Sequence, residues 1–309
     1  MTPDLSTTVG SVRLANPVMT AAGTAGTGRE LSAYLDLAGL GAMVVKSLSA
    51  EPWAGNPAPR LHPTDAGMLN SVGLQNPGIA AWLEGDLPWL REHGVTVVAS
   101  VWGRTVDEYR RAAEALAAVP PAAVAAVEVN VSCPNLEDRG RMFAHDPVAA
   151  AAAVAATEAC GRPRWAKLSP NVADLRPVVD AVVGAGAEAV TLVNTVLGMV
   201  IDVERRRPAL GAGGGGLSGP AIRPVAVRAV YEVRAAFPAI GIVGAGGVGA
   251  GIHAVELLMA GADAVQVGTA SFADPRAAGR VREELAAWLA DHGEASARAV
   301  VGASHQVSG

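Results

Sequence analysis

Short apolar runs alternate with longer stretches of helical spacing along almost the whole chain. The runs at 16–23, 41–47, 95–101, 125–129, 164–169, 188–194, 240–244 and 264–268 predict strands. The amphipathic or alanine-rich stretches at 30–40, 77–93, 105–118, 146–161, 172–184, 222–237, 249–260 and 275–292 predict helices. Pro77 and Pro147 stand at helix starts, where a missing N–H matters least. Two long Pro- and Gly-rich segments, 50–76 and 195–219, interrupt the alternation, and both follow strands.

Eight strands alternating with eight helices predict an α/β chain folded as a (β/α)8 TIM barrel. A doubly wound open sheet is the alternative. Apolar strands without strict alternation fit a sheet covered on both faces. No linker-like stretch divides the chain, so one domain spanning 1–309 is expected. In a barrel, the two long segments become loops over the C-terminal face, where such folds place their sites.

Composition adds exclusions. Half of the 309 residues are apolar, aromatics make up only 4%, and the formal net charge is −5. That balance, with no basic stripe, argues against nucleic acid as a partner. The two cysteines, Cys133 and Cys160, make neither a disulfide framework nor a metal motif, so no metal is expected. Together with an N-terminus that shows no signal peptide and no membrane-length apolar run, they lead to the expectation of a cytoplasmic protein that does not engage a membrane.

The chemistry collects at strand ends. Lys46-Ser47, Ser100, Asn130, Lys167, Asn194-Thr195, Gly246-Gly247 and Gly268-Thr269 each close a predicted strand. Two lysines at one barrel mouth would favour an anionic ligand or a reduced cofactor. Either lysine alone could be a snorkelling surface cation, and Lys167 could serve as a Schiff-base lysine. The glycine turns after strands seven and eight suit a phosphate, although glycines also make plain tight turns. The most informative stretch is Asn130-Val131-Ser132-Cys133-Pro134-Asn135, which carries a thiol and two amides from a strand into a polar loop. A lone cysteine is more often a small buried hydrophobe, as Cys160 is taken to be.

The ordered set Lys46-Ser47-Leu48, the run 67–78 (GMLNSVGLQNPG), the run 130–135 (NVSCPN), the run 167–171 (KLSPN), Asn194-Thr195 and the run 215–220 (GGLSGP) resembles class 1 dihydroorotate dehydrogenases, most closely the B type. The resemblance runs from Asn16 to Phe272. It implies an FMN barrel that oxidises dihydroorotate to orotate in pyrimidine synthesis. It implies Cys133 as the base for the C5 proton and Lys46 as a catalytic residue contacting substrate and flavin. Asn70, Gly73, Leu74, Asn130, Asn135, Asn194 and Thr195 match substrate-binding positions. Ala22, Gly23, Lys46, Ser47, Ser100, Asn130, Lys167, Gly219, Gly246, Gly247, Gly268 and Thr269 match FMN-binding positions.

The same resemblance implies a homodimer associated with a second subunit that carries FAD and a 2Fe–2S cluster and delivers electrons to NAD. Gln75 points to that type, whereas fumarate-using relatives typically carry proline there. The rivals are the same oxidation with fumarate or another acceptor and no second subunit, and a barrel that binds flavin or orotate without turnover. Two places depart from the family pattern: Ala25, where relatives often carry an aromatic, and the loop 136–145, which lacks their paired glycines.

Overall fold

The computed structural model describes residues 2–132 and 142–305. Eight parallel strands make one sheet: β1 (Val18–Thr20), β2 (Met43–Val44), β3 (Val97–Val101), β4 (Ala126–Asn130), β5 (Arg164–Lys167), β6 (Ala189–Leu192), β7 (Gly241–Ala245) and β8 (Ala264–Val267). Each strand from β2 to β8 pairs with its sequence neighbour, and β8 pairs with β1. Between β1 and β2, Met19 bridges Ala42 in parallel and the Gly41 N–H donates to the Val18 carbonyl at 2.8 Å. The sheet therefore closes on itself, as the (β/α)8 pattern predicts and an open sheet does not.

The helices α1 (Arg29–Ser32), α2 (Ile79–Glu92), α3 (Val106–Ala117), α4 (Pro147–Ala156), α5 (Arg176–Gly184), α6 (Arg223–Ala236), α7 (Gly251–Met259) and α8 (Ala277–Asp291) follow the strands in order. The first is much shorter than the stretch 30–40 predicts. The Asp36 carboxylate accepts from the Ala38 N–H at 3.1 Å, a local turn that competes with helix. Gly41 then lies against the Asn16 carbonyl, where a Cβ would collide.

Each barrel strand divides its residues by parity. Val97, Ala99, Val101, Val127, Val129, Ala166, Val190, Leu192, Ile242 and Val265 belong to the core cluster shared with the helices. Val98, Ala126, Trp165, Ala189, Val243 and Ala264 form a second cluster inside the barrel. A hairpin of Thr7–Val9 and Val12–Leu14 plugs that interior, contributing Val9, Val12 and Leu14. Above this apolar layer, two positions on along the strands, come Glu128, Lys167, Thr191 and Gln266, all buried.

The two long segments are more than loops. Leu61–Thr64, Gly67–Asn70, Gly215–Ser218 and Val196–Gly198 assemble a four-stranded antiparallel sheet beside the mouth. Asn70 pairs with Gly216 across it. Glycine is needed here because a Cβ on Gly216 would run into the Thr195 side chain. Among the described residues, no helix is long and apolar enough to cross a membrane.

Candidate active site

All eight strands lead into one cavity of about 790 Å³ at the C-terminal face. A volume near the upper end of the usual range for small-molecule sites leaves room for a cofactor and a small substrate side by side. After β1, Ala22 and Gly23 line it. A Cβ on Gly23 would sit 3.4 Å from Lys46 Nζ, so the lysine ammonium lies against this bare backbone. Lys46 itself is half-buried and lines the cavity with Ser47. Ser100 does not reach the wall; it stands behind Ser47, the two hydroxyls 2.9 Å apart.

Asn130 closes β4 almost fully buried. Its Oδ1 accepts from the Ser132 N–H at 3.1 Å and from Asn194 Nδ2 at 3.3 Å. Its carbonyl accepts from the Tyr109 hydroxyl on α3 at 2.7 Å. These bonds fix the amide before any ligand arrives, which is what a recognition group requires. Asn194 Oδ1 in turn accepts from the Thr195 N–H at 3.0 Å. From the small sheet, Asn70 donates to the Gly216 carbonyl at 3.1 Å and lines the cavity with Gly73 and Leu74. Cys133 and Asn135, expected as base and amide partner, lie outside the described residues.

The glycine turns face the other side of the cavity. Gly246 and Gly247 have φ values of 131° and 72°, and Gly219 has 96°. A Cβ on Gly247 would press to 2.5 Å from Arg223 Cβ, and one on Gly268 to 3.2 Å from Ala21 Cβ. Bare backbone at this wall can approach a phosphate closely. Helix α7 begins only at Gly251, so the turn leads to the helix without forming its first residues. Thr269 donates from Oγ1 to Ser218 Oγ at 2.8 Å and lines the same wall.

Lys167 is not a lone cation. Its Nζ donates to Gln266 Oε1 at 2.9 Å and lies 3.4 Å from Glu128 Oε1. Gln266 and Glu128 are absent from the sequence reading. The signal was there: one polar residue inside each of two buried apolar strands, at an inward position. Trp53, Trp102 and Arg104 also line the cavity unforeseen. The Arg104 guanidinium sits 4.3 Å over the Trp53 ring, a cation–π contact, and is ion-paired to Glu108. Trp53 Nε1 donates to the Gly73 carbonyl at 2.9 Å.

A cavity with a glycine wall, a buried lysine floor and converging amides has parts suited to a phosphate-bearing cofactor and a small polar ring. Among the described residues, no cluster of side chains could hold a metal ion. Comparison with known proteins narrows this. The profile of the dihydroorotate dehydrogenase family matches residues 4–289. A dihydroorotate dehydrogenase B (NAD(+)) catalytic subunit from Trichlorobacter lovleyi is 48% identical over 98% of this chain and 99% of its own. The Geobacter sulfurreducens protein of the same description is 48% identical over 97% and 98%. That of Desulforudis audaxviator is 49% identical over 97% of each chain.

Proposed function

The chain belongs to the dihydroorotate dehydrogenase family, and from that premise we propose that it oxidises dihydroorotate to orotate as the FMN-bearing catalytic subunit of an NAD-linked enzyme. The carrying observation is the convergence in one cavity of Lys46, Asn70, Asn130, Asn194 and Thr195 with the Lys167 floor and the glycine wall.

The glycine wall fits a cofactor phosphate, because Gly246, Gly247 and Gly268 line the cavity without side chains, and the first two hold positive φ values that other residues rarely adopt. Bound FMN supplies the hydride acceptor. The residues do the rest. The amides of Asn70, Asn130 and Asn194 offer donors and acceptors to the alternating N–H and C=O edge of the substrate ring. Lys46 neutralises the substrate carboxylate. Cys133 takes the C5 proton as the hydride leaves C6, so the ring gains its C5=C6 double bond with charge and electrons balanced. Lys167 stabilises negative charge that builds at the cavity floor.

The two cysteines cannot bind a 2Fe–2S cluster, which takes four ligands. In the NAD-linked assembly proposed here, the FAD and the cluster that carry electrons onward to NAD belong to a second subunit. The relatives' description as catalytic subunits supports that reading.

Anaerobic mixing with dihydroorotate tests the proposal. The purified yellow protein is expected to bleach, faster as pH rises through the range where a thiol of ordinary pKa, about 8.5, ionises. Cys133→Ser is expected to slow bleaching near neutral pH by at least about a hundredfold, the scale of general-base contributions. Fast bleaching in the variant would remove Cys133 from the reaction. Reduction of fumarate at a high rate by the chain alone would remove the second subunit.

A further inference from the structure

Below the cavity floor lies a carboxylate that the reaction above leaves without a task. Glu128 is fully buried on β4 and is not part of the cavity wall, whereas Lys167 and Gln266 are. Its Oε2 accepts from Gln266 Nε2 at 2.6 Å and from Thr191 Oγ1 at 3.0 Å. Its Oε1 accepts no hydrogen bond among the described residues and faces Lys167 Nζ at 3.4 Å. Strands β4, β5, β6 and β8 are thus tied together around one buried ion pair.

A buried pair adds little to stability beyond what apolar residues of like volume would give, because desolvation offsets the attraction. Its electric field is another matter. Glu128 is sealed from water and Lys167 nearly so, so both charges are felt across the floor. Lys167 alone would present an uncompensated cation to whatever lies above it. With Glu128 beneath, the floor is close to neutral. A ligand that gains negative charge on reduction feels that sum.

We propose that Glu128 is a positioning residue that holds Lys167 Nζ at the floor and, by offsetting its charge, lowers the reduction potential of the bound flavin. This rests on the reading that the cavity holds FMN. A purely structural role for Glu128 would leave the flavin's electron affinity where it is.

Glu128→Gln keeps the shape and an oxygen acceptor for Thr191 and Gln266 but removes the charge. Sulfite reports the outcome, since it adds to electron-poor flavin and leaves it negatively charged. The expected result is sulfite binding to the oxidised variant tightened by about tenfold or more, with a higher flavin potential in a dye-coupled titration. Lys167→Met is expected to shift both in the opposite direction. Unchanged or weaker sulfite binding in folded Glu128→Gln overturns the proposal. If that variant does not fold, Glu128→Asp takes its place: drawing the charge back by one methylene should tighten sulfite by a smaller factor, and no tightening overturns the proposal equally. A wild-type protein that binds no flavin would overturn the cofactor reading and this inference together. A yellow wild type with an unmoved variant overturns the inference alone.

Discussion

Trp53 shows how much a single side chain outside the strand ends can matter. Gly73 and Leu74 form a turn in the left-handed region, with φ values of 70° and 61°. For leucine that conformation costs about 1 kcal/mol or more. Two donors hold the turn: Trp53 Nε1 on the Gly73 carbonyl, and Asn76 Nδ2 on the Leu74 carbonyl at 2.9 Å. Trp53→Phe keeps most of the ring but removes one of these bonds. A hydrogen bond contributes about 1 kcal/mol net, so orotate should bind about fivefold more weakly. Titration of the yellow protein, followed by the flavin spectrum, checks this. Nothing in the segment 50–76 marks Trp53 as more than a stray aromatic; its partner lies 20 residues on, across a fold of the chain. Lys46, Asn130 and Asn194, by contrast, are legible because each ends an apolar run.

At the scale of elements, strand and helix order is legible because short continuous apolar runs mark the strands, buried throughout, and apolar positions every third to fourth residue mark the helices. The failures are equally local in origin. Helix α1 stops early, and the Asp36 turn that follows competes with helix before Gly41 packs onto the Asn16 carbonyl. The small sheet was unreadable because its strands are rich in Gly and short, and its central pairing joins Gly67–Asn70 to Gly215–Ser218, far apart in sequence. Packing between α7 and α8 is also invisible from either helix alone. Gly251 lies so close to α8 that an added Cβ would come within 2.6 Å of the Leu285 nitrogen and meet the Glu284 side chain. Its N–H donates to Glu284 Oε2 at 2.6 Å. Gly251→Ala should lower unfolding free energy by about 1–3 kcal/mol, as overpacking does. Urea denaturation measures it, and an unchanged midpoint would show that the helices separate freely.

For the whole molecule, stability in acid depends on carboxylates held by cations. Burial alone pushes the Glu108 carboxyl up, but the Arg104 side chain and backbone N–H outweigh it and hold the group below its usual range. A carboxyl with a depressed folded pKa contributes stability above its unfolded value, near 4.5, and loses it as pH falls through the folded value. The melting temperatures of wild type and Glu108→Gln should therefore differ most near neutral pH. The gap should narrow as pH drops from about 6 to about 3. A gap independent of pH would assign Glu108 a packing role only. The same ion pair holds Arg104 over Trp53, so acid stability and the Gly73–Leu74 turn share one structural support.

The sequence by itself determined the alternation of elements, the barrel it implies and the polar residues at strand ends, because each depends on burial within a single element. Only the tertiary structure decided which of those residues meet. Pairing of β8 with β1 and the Met19–Ala42 bridge that closes β1 onto β2 complete the barrel, and the curvature of the closed sheet places Glu128, Lys167, Thr191 and Gln266 in one layer. That layer buries Lys167 and pairs it from below, while Lys46 lines the cavity mouth. Pairing of this kind is set by strand register and barrel closure between residues far apart in sequence, and no local pattern encodes it.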